Sequence, residues 1–280
     1  MSASTNSGVP MVSARAVFLV VIAVIWVFPA YWLLNMSLQP NDVLLRSTNE
    51  FLPDSNSTLR HYVGILSGSS TLRWLVNSII VSTCTVFFTL LLASLGGYAF
   101  GRLEFPFKRT LFVLVLGGLA IPEQAVFIPL YSMFSDWKMH NTHAALFLPR
   151  LATPFGVFLM TQYFRGIPKE YEEAAKMDNA SHWTIFTKVM LPLARPALIT
   201  LAIFTLLYTW NDYLWPLVSA SKTEMFTITV GMASYQGNYA QTVGLGFLMA
   251  TAVFASLPIL LMYVIFQKYV VSGIAMSSGK

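Results

Sequence analysis

The chain has 280 residues, of which 56% are hydrophobic and only 10% are charged. Soluble domains carry about 25% charged residues, so this composition argues against a water-soluble fold. The net charge of +5 comes from basic residues scattered at the ends of apolar stretches. Such a distribution favours contact with anionic lipid and argues against a nucleic-acid partner.

Apolar stretches long enough to cross a bilayer recur through the sequence. A hydrocarbon core of roughly 30 Å requires about 20 residues of α-helix. Six stretches meet this requirement, at about residues 16–34, 75–98, 110–131, 144–164, 192–217 and 244–267. We therefore predict an all-α polytopic membrane protein with six transmembrane helices. It should form one transmembrane domain over residues 15–280, preceded by a disordered tail over residues 1–14.

The first stretch has a second interpretation, because Arg15 and the apolar run behind it are also typical of a secretory signal. That run is longer than the apolar core of a signal peptide. Residues 35–39 also lack the small-residue pair of a cleavage site. An uncleaved span is therefore favoured over a cleaved signal.

The distribution of lysine and arginine predicts the orientation, since cytoplasmic connections retain positive charge. Eleven of the 17 basic residues fall on the side that carries both ends of the chain. The six on the other side are Arg46, Arg60, Arg73, Lys138, Arg150 and Lys222. Both termini should therefore be cytoplasmic.

Prolines interrupt two of the predicted spans. The third span contains Pro122 and Pro129, and the fourth contains Pro149 and Pro154. A proline inside a helix removes a backbone hydrogen bond and kinks or breaks the helix. Neither span should be a straight rod. Such breaks either line a pathway or simply kink a packed helix, and both interpretations remain open.

A polar connection at residues 165–191, here called the docking loop, separates the fourth and fifth spans and should be cytoplasmic. Pro168 suits the first position of a helix, and the acidic residues after it suit the positive end of the helix dipole. Asn179 tolerates the left-handed conformation that reverses a chain, and Ser181 suits the N-cap of a second helix. We predict a helical hairpin over residues 168–190. Its presented face should contain Tyr171, Ala174, Ala175 and Asp178.

The docking loop also contains a spaced motif: Glu173-Ala174-Ala175, three residues, Asn179, nine residues, then Val189-Met190-Leu191-Pro192. Pro192 should end the second helix of the hairpin. The motif resembles the cytoplasmic signature of the permease subunits of bacterial ATP-binding-cassette importers, with Asn179 at the usual glycine and Val189 at the usual isoleucine. Ile121-Pro122 and the run Trp210-Asn211-Asp212-Tyr213-Leu214-Trp215-Pro216-Leu217 resemble the carbohydrate-importer branch, in particular its maltose-permease G-like subunits.

This resemblance implies a transport subunit of the bacterial inner membrane that forms half of a translocation pathway for sugars. The implied partners are a second permease, two cytoplasmic ATPases that bind ATP and Mg²⁺, and an external solute-binding protein, with no cofactor on this chain. The residues implied to couple to the ATPase are Tyr171, Glu172, Glu173, Ala174, Ala175, Asp178, Asn179, Leu191 and Pro192. The sequence has no phosphate-binding Gly-x-x-x-x-Gly-Lys-Ser/Thr loop, so this chain should not be an enzyme.

Polar residues in the third and fifth spans are candidates for the substrate pathway. They are Glu123, Gln124, Trp210, Asn211, Asp212 and Tyr213. An ionisable group within a membrane is costly unless it meets water or a partner. Either these residues face an aqueous cavity where aromatic rings stack on a sugar, or the span simply ends there with Asp212 in water.

Other functions remain alternatives. A stand-alone channel or secondary transporter explains the spans but gives the docking loop no task, and an importer of polyols or glycerol-phosphate is a closer alternative. An intramembrane enzyme would need a paired nucleophile and base or a metal cluster, which the spans lack. A polar loop tip is favoured over a metal site for His140 and His143, and Cys84 is interpreted as a packing residue.

Overall fold

The computed structural model describes residues 14–46, 57–235 and 244–277, and it confirms the all-α fold within these ranges. Of the predicted tail over residues 1–14, residues 1–13 lie outside the described part of the chain. The chain divides into two compact units. One is formed by residues 1–67 and 235–254, and the other by residues 68–234 and 255–280.

The smaller unit contains α1 (Ala14–Leu38), α2 (Asn41–Arg46) and α3 (Arg60–Leu66). Most of the large apolar side chains of α1 are exposed. A helix that is apolar on all sides needs lipid or another chain around it. The connection after α1 is fixed by two polar contacts, 2.6 Å between the hydroxyls of Ser37 and Tyr62 and 2.9 Å between His61 Nε2 and the carbonyl of Gln39.

The larger unit carries the remaining helices. They are α4 (Ser70–Arg102), α5 (Lys108–Gly117), α6 (Glu123–Asp136), α7 (His143–Phe147), α8 (Pro154–Gly166), α9 (Glu170–Met177) and α10 (His182–Thr184). A π-helical segment, Ile185–Met190, continues α10 into α11 (Leu191–Leu193). The rest are α12 (Arg195–Trp210), α13 (Leu214–Ser219), α14 (Ile228–Ser234) and α15 (Leu245–Ser277), of which the part from residue 255 belongs to this unit.

Three described helices, in α1, α4 and α15, are each long and apolar enough to cross a membrane alone. Three further pairs of segments meet the same test only together, because each is bent at a short break. The bends are 97° between residues 108–120 and α6, 48° between residues 143–150 and α8, and 74° between residues 182–193 and α12. Counting each bent pair as one span gives up to six, the number that the sequence predicts, although the third pair begins at residue 182, within the docking loop.

Two of these bends lie where prolines predict them. Pro122 stands at the first break with an extended backbone, ψ 134°. Pro154 begins α8, and Thr153 before it caps the helix by accepting a 3.2 Å hydrogen bond from the N–H of Gly156. The sequence predicts a break at Pro192, and the third bend follows two residues later. It lies at Ala194, just before Pro196, whose ring cannot continue the helix because it removes a donor and crowds the preceding turn.

The fifth predicted span, residues 192–217, is wrong at its far end. The helix ends at Trp210, and a turn leads into the separate helix α13. Two hydrogen bonds hold this end: Asn211 Nδ2 donates to the carbonyl of Leu207 over 2.8 Å, and Thr229 Oγ1 donates to the carbonyl of Asp212 over 2.7 Å. These polar groups compete with continued helix, so the chain turns here.

The core of the larger unit forms where α4 crosses α8 and α12. Buried side chains there are Ala93, Tyr98, Met160, Phe164, Ile167, Ile185, Phe186, Met190, Ala194, Ala197 and Leu201. Gly97 lets α4 approach α8 very closely, because a Cβ at this position would lie 2.4 Å from Met160 Cβ. The docking loop stands on this core, since Ala175 and Ala180 pack against it.

We expect Gly97→Ala to lower the free energy of unfolding by about 1–3 kcal/mol, because the added methyl group overpacks the α4–α8 contact. The matched control is Gly117→Ala, since a Cβ at Gly117 meets nothing within 4 Å. Denaturation of the two purified variants in detergent measures both effects. Equal stability of the two variants would contradict the close packing at Gly97.

Candidate functional site

The docking loop is a helical hairpin. α9 begins at Glu170 with Lys169 at its N-cap, so Pro168 lies before the helix and not at its first position as predicted. Asn179 adopts the left-handed conformation, φ 54°, that the sequence predicts for the turn. The side chain of Ser181 caps the second helix by accepting a hydrogen bond of 3.2 Å from the N–H of Thr184.

The second helix of the hairpin does not end at Pro192, as the sequence predicts. It continues through Pro192 to Leu193, and the break follows at Ala194. Proline is tolerated here because the preceding π-helical turn changes the backbone hydrogen-bond pattern. Leu191 packs against the core, whereas Pro192 is exposed.

The inner face of α9 is anchored to the end of α4. Glu172 Oε1 lies 2.7 Å from Arg102 Nε, and the two side chains are 12% and 5% exposed. Arg102 also donates through Nη2 to the carbonyl of Ile167, over 2.6 Å. Ala175 lies on this inner side, against the core, and not on the presented face where the sequence places it. Hairpin spacing alone could not reveal the anchoring role of Arg102.

The outer face of α9 is open. The exposed residues of α9 are Glu170, Tyr171, Glu173, Ala174, Lys176 and Met177, and the exposed Asp178 follows at its C-cap. Met177, which the sequence did not single out, is 84% exposed. The open side therefore combines three carboxylates, one lysine, a small residue and two larger side chains, Tyr171 and Met177, on a helix whose other side is fixed.

Asn179→Gly should leave stability within about 1 kcal/mol of the original chain, because glycine gains in the left-handed conformation what it loses in unfolded-state entropy. Asn179→Val is the contrasting variant, and its branched side chain at φ 54° should cost about 1–3 kcal/mol. Thermal unfolding of both proteins in detergent tests the pair. A large loss with glycine would instead show that the asparagine side chain makes a specific contact.

A second polar site lies at the opposite end of the bent spans. Arg150 Nε lies 2.9 Å from Asp212 Oδ2, and Arg150 Nη1 lies 3.0 Å from Glu123 Oε1. The hydroxyl of Tyr208 donates to the other oxygen of Glu123. The guanidinium also stacks over the Tyr208 ring, 4.6 Å from its centroid. One arginine thus joins the three bent spans, which are the third, fourth and fifth in chain order.

These side chains line a cavity of about 400 Å³, here called the charged cavity. Its lining residues are Glu123, Gln124, Phe127, Arg150, Tyr208, Asn211, Asp212, Tyr213, Leu214 and Trp215. Five of the six predicted pathway residues therefore come together, and Trp210 is the exception because its side chain is buried elsewhere. The sequence counted Arg150 only as an outer basic residue. Asp212 is not simply solvated, since its side chain is 9% exposed and paired.

The depth of the charged cavity follows from the lengths of the helices that lead to it. From the docking-loop end, α8 contributes 13 residues and α12 contributes 16. At 1.5 Å per residue these lengths are about 20 and 24 Å. Counted along the membrane normal from helix starts at the membrane surface, these lengths are about two thirds and four fifths of a core of roughly 30 Å. Glu123, 61% exposed at this depth, must face water or another polypeptide.

The two loop histidines are held by polar contacts. His140 Nδ1 lies 3.4 Å from Ser219 Oγ, and His143 Nε2 lies 3.0 Å from Asn77 Oδ1. Among the residues that the structure describes, no group of three or more histidine, cysteine, aspartate or glutamate side chains is placed to hold a metal ion.

An all-helical membrane chain with bent spans, a charged cavity at membrane depth and an anchored hairpin with one open face is a subunit of a transport assembly. A family model described as "Binding-protein-dependent transport system inner membrane component" matches residues 93–276. The chain belongs to this family, whose members are non-catalytic membrane permease subunits.

Individual relatives agree with this membership. The chain is 34% identical over 261 residues to the arabinooligosaccharides transport system permease protein AraQ of Halalkalibacterium halodurans, covering 92% of this chain and 93% of that protein. It is 31% identical over 266 residues to the trehalose/maltose transport system permease protein MalG of Thermococcus litoralis, covering 93% and 94%.

A solved structure is similar in fold. It is a chain of a bacterial ABC transporter involved in the import of the acidic polysaccharide alginate, with a TM-score of 0.82 over 96% of this chain and 99% of that chain. The two sequences are 22% identical, so this likeness concerns the fold alone.

Proposed function

We propose that this chain is one of two permease subunits of an ATP-driven sugar importer in a bacterial inner membrane. It forms half of the translocation pathway as a single transmembrane domain over residues 15–280, with both termini in the cytoplasm. Two partner ATPases bind ATP and Mg²⁺, and this chain carries no cofactor. Relatives named for arabinooligosaccharide and trehalose/maltose transport support sugar as the substrate.

The observation that carries the proposal is the two-sided hairpin of the docking loop. Its inner face is fixed to α4 and to the core, whereas its outer face is open. A short helix held in this way can enter a cleft of an ATPase and transmit its closure as a rigid-body movement. Glu173, Ala174 and Asp178 make the outer contact in this proposal, and the turn at Asn179 keeps them in place.

The charge of the cavity favours neutral sugars over the glycerol-phosphate alternative. Two carboxylates, Glu123 and Asp212, surround one guanidinium, Arg150. A phosphate group would meet excess negative charge there, whereas sugar hydroxyls can bond to both kinds of group. Tyr213 and Trp215 add aromatic rings to the lining. The proposed pathway therefore passes the charged cavity, whose aromatic and polar sides suit a neutral carbohydrate.

The test is co-expression of this chain with neighbouring permease, ATPase and solute-binding proteins, followed by purification through a tag on this chain. We expect an ATPase and a second permease to remain bound. ATP hydrolysis in the reconstituted assembly should rise when the binding protein carries a neutral oligosaccharide, and not when it is offered glycerol-phosphate. Recovery of this chain as a lone homo-oligomer would overturn the proposal in favour of a channel or secondary transporter.

A further inference from the structure

Arg102 is the last residue of α4 and makes three contacts with the docking loop. Its Nε pairs with Glu172 over 2.7 Å, and its Nη2 donates to the carbonyls of Ile167 over 2.6 Å and Pro168 over 3.3 Å. The guanidinium therefore holds both the entry of the loop and the inner face of α9. Arg102 lies outside the spaced motif of the docking loop, which runs from Glu173 to Pro192.

The chemistry of this contact suits orientation more than stability. A buried ion pair often adds little to stability compared with apolar side chains of similar size, because both charges lose their water. The planar guanidinium, however, fixes the direction of its hydrogen bonds, which an ammonium group does not. Arg102 donates hydrogen bonds to two carbonyls at the entry of the docking loop and forms an ion pair with Glu172, so it positions α9 against α4.

The opposite end of α4 also makes side-chain hydrogen bonds to a distant segment of the larger unit. Trp74 Nε1 donates to the carbonyl of Thr223 and Asn77 Nδ2 to that of Glu224, both over 2.8 Å. With 33 residues, α4 is about 50 Å long. Its middle packs on α8 at Gly97. A displacement of α9 held by Arg102 would therefore reach the segment at residues 223–228 through one continuous helix.

We propose that Arg102 is a positioning residue for energy coupling, which acts through Glu172 to make α9 and α4 move as one body. The proposal rests on the proposed function, because the displacement of α9 comes from the partner ATPase. It goes beyond the outer contact of the docking loop, since it assigns the transmission step to a residue that the ATPase does not touch.

The decisive variant is Arg102→Met combined with Glu172→Met. It removes both buried charges together, so the chain should fold. Glu172, which the resemblance places among the coupling residues, faces Arg102 and not the open side of α9, so co-purification of the ATPase is measured alongside. Coupling should nevertheless fall, and we expect the stimulation of ATP hydrolysis by the loaded binding protein to drop about tenfold. Arg165→Met is the matched control, because Arg165 is an exposed arginine at the start of the docking loop that donates to the carbonyl of Phe100 and makes no contact with α9 among those described.

A second measurement on this chain does not depend on the ATPase. A spin label at Met177→Cys, in a Cys84→Ser background, reports the mobility of α9. We expect the label to be more mobile in the double variant than in the parent and in the control. If the double variant does not fold, Arg102→Lys replaces it in both measurements, since lysine keeps the charge but loses the planar fork.

The outcomes separate this proposal from the proposed function. Reduced stimulation together with a mobile label supports the positioning role. Stimulation at the parent level would overturn it and leave Arg102–Glu172 a structural ion pair, and reduced stimulation with an immobile label would overturn it as well. Failure of the unmodified chain to retain any ATPase would instead reject the proposed function, and an immobile label in the double variant would then reject the positioning role independently.

Discussion

Arg150→Met should lower the free energy of unfolding by about 3–5 kcal/mol, because it leaves Asp212 buried without its counter-ion. The effect should be large for a second reason. Arg150 joins three bent spans, so its loss releases Glu123 and the Tyr208 ring as well. Denaturant titration of the purified protein in detergent gives the stability. The yield of folded protein in the membrane should fall in parallel.

The double variant Arg150→Met with Asp212→Asn should recover much of this loss, because no buried charge then lacks a partner. Arg73→Met is the control, as Arg73 is an exposed arginine near the same end of the bundle. An Arg150→Met protein as stable as the Arg73→Met protein would show that the cavity admits enough water to solvate Asp212. The ion pairs of Arg150 between the bent spans would then contribute nothing to the free energy of folding.

Hydropathy and proline chemistry predicted much of the fold. Up to six candidate spans follow from apolar length, and the bends at Pro122 and Pro154 follow from the missing donor and the fixed ring of proline. The turn at Asn179 and the cap at Ser181 were also predicted, because both depend on the conformational preferences of single residues. Such local preferences act over one helical turn and can be recognised without knowledge of the remaining chain.

The sequence could not reveal which distant residues pair. Arg150 and Asp212 lie on different spans, and two spans separate Arg102 from Glu172 along the chain. No period or spacing connects them, so each basic residue was counted only as an orienting charge. The inward position of Ala175 was missed for a related reason. Helical spacing gives the faces of α9 but not the direction of the core.

Glu173→Lys should abolish most binding of the ATPase, reducing the amount that co-purifies by about tenfold or more. The substitution reverses a charge on the open face of α9, where a like charge across an interface costs several kcal/mol. Among the contacts that the structure describes, the Glu173 side chain makes no ion pair, so the fold of the larger unit should persist. Only the favourable interaction with the positive end of the helix is lost, about 0.3–1 kcal/mol.

Glu104→Lys is the control, since it makes the same charge reversal at an 89% exposed glutamate of another connection on the same side of the bundle, where it also breaks the 3.1 Å ion pair with Lys108. Co-purified ATPase and the unfolding midpoint should be measured for both variants. Binding lost only with Glu173→Lys, at unchanged stability, assigns the outer face of α9 to the ATPase. Equal losses in the two variants would indicate a diffuse electrostatic effect, and undiminished binding in both would remove Glu173 from the interface.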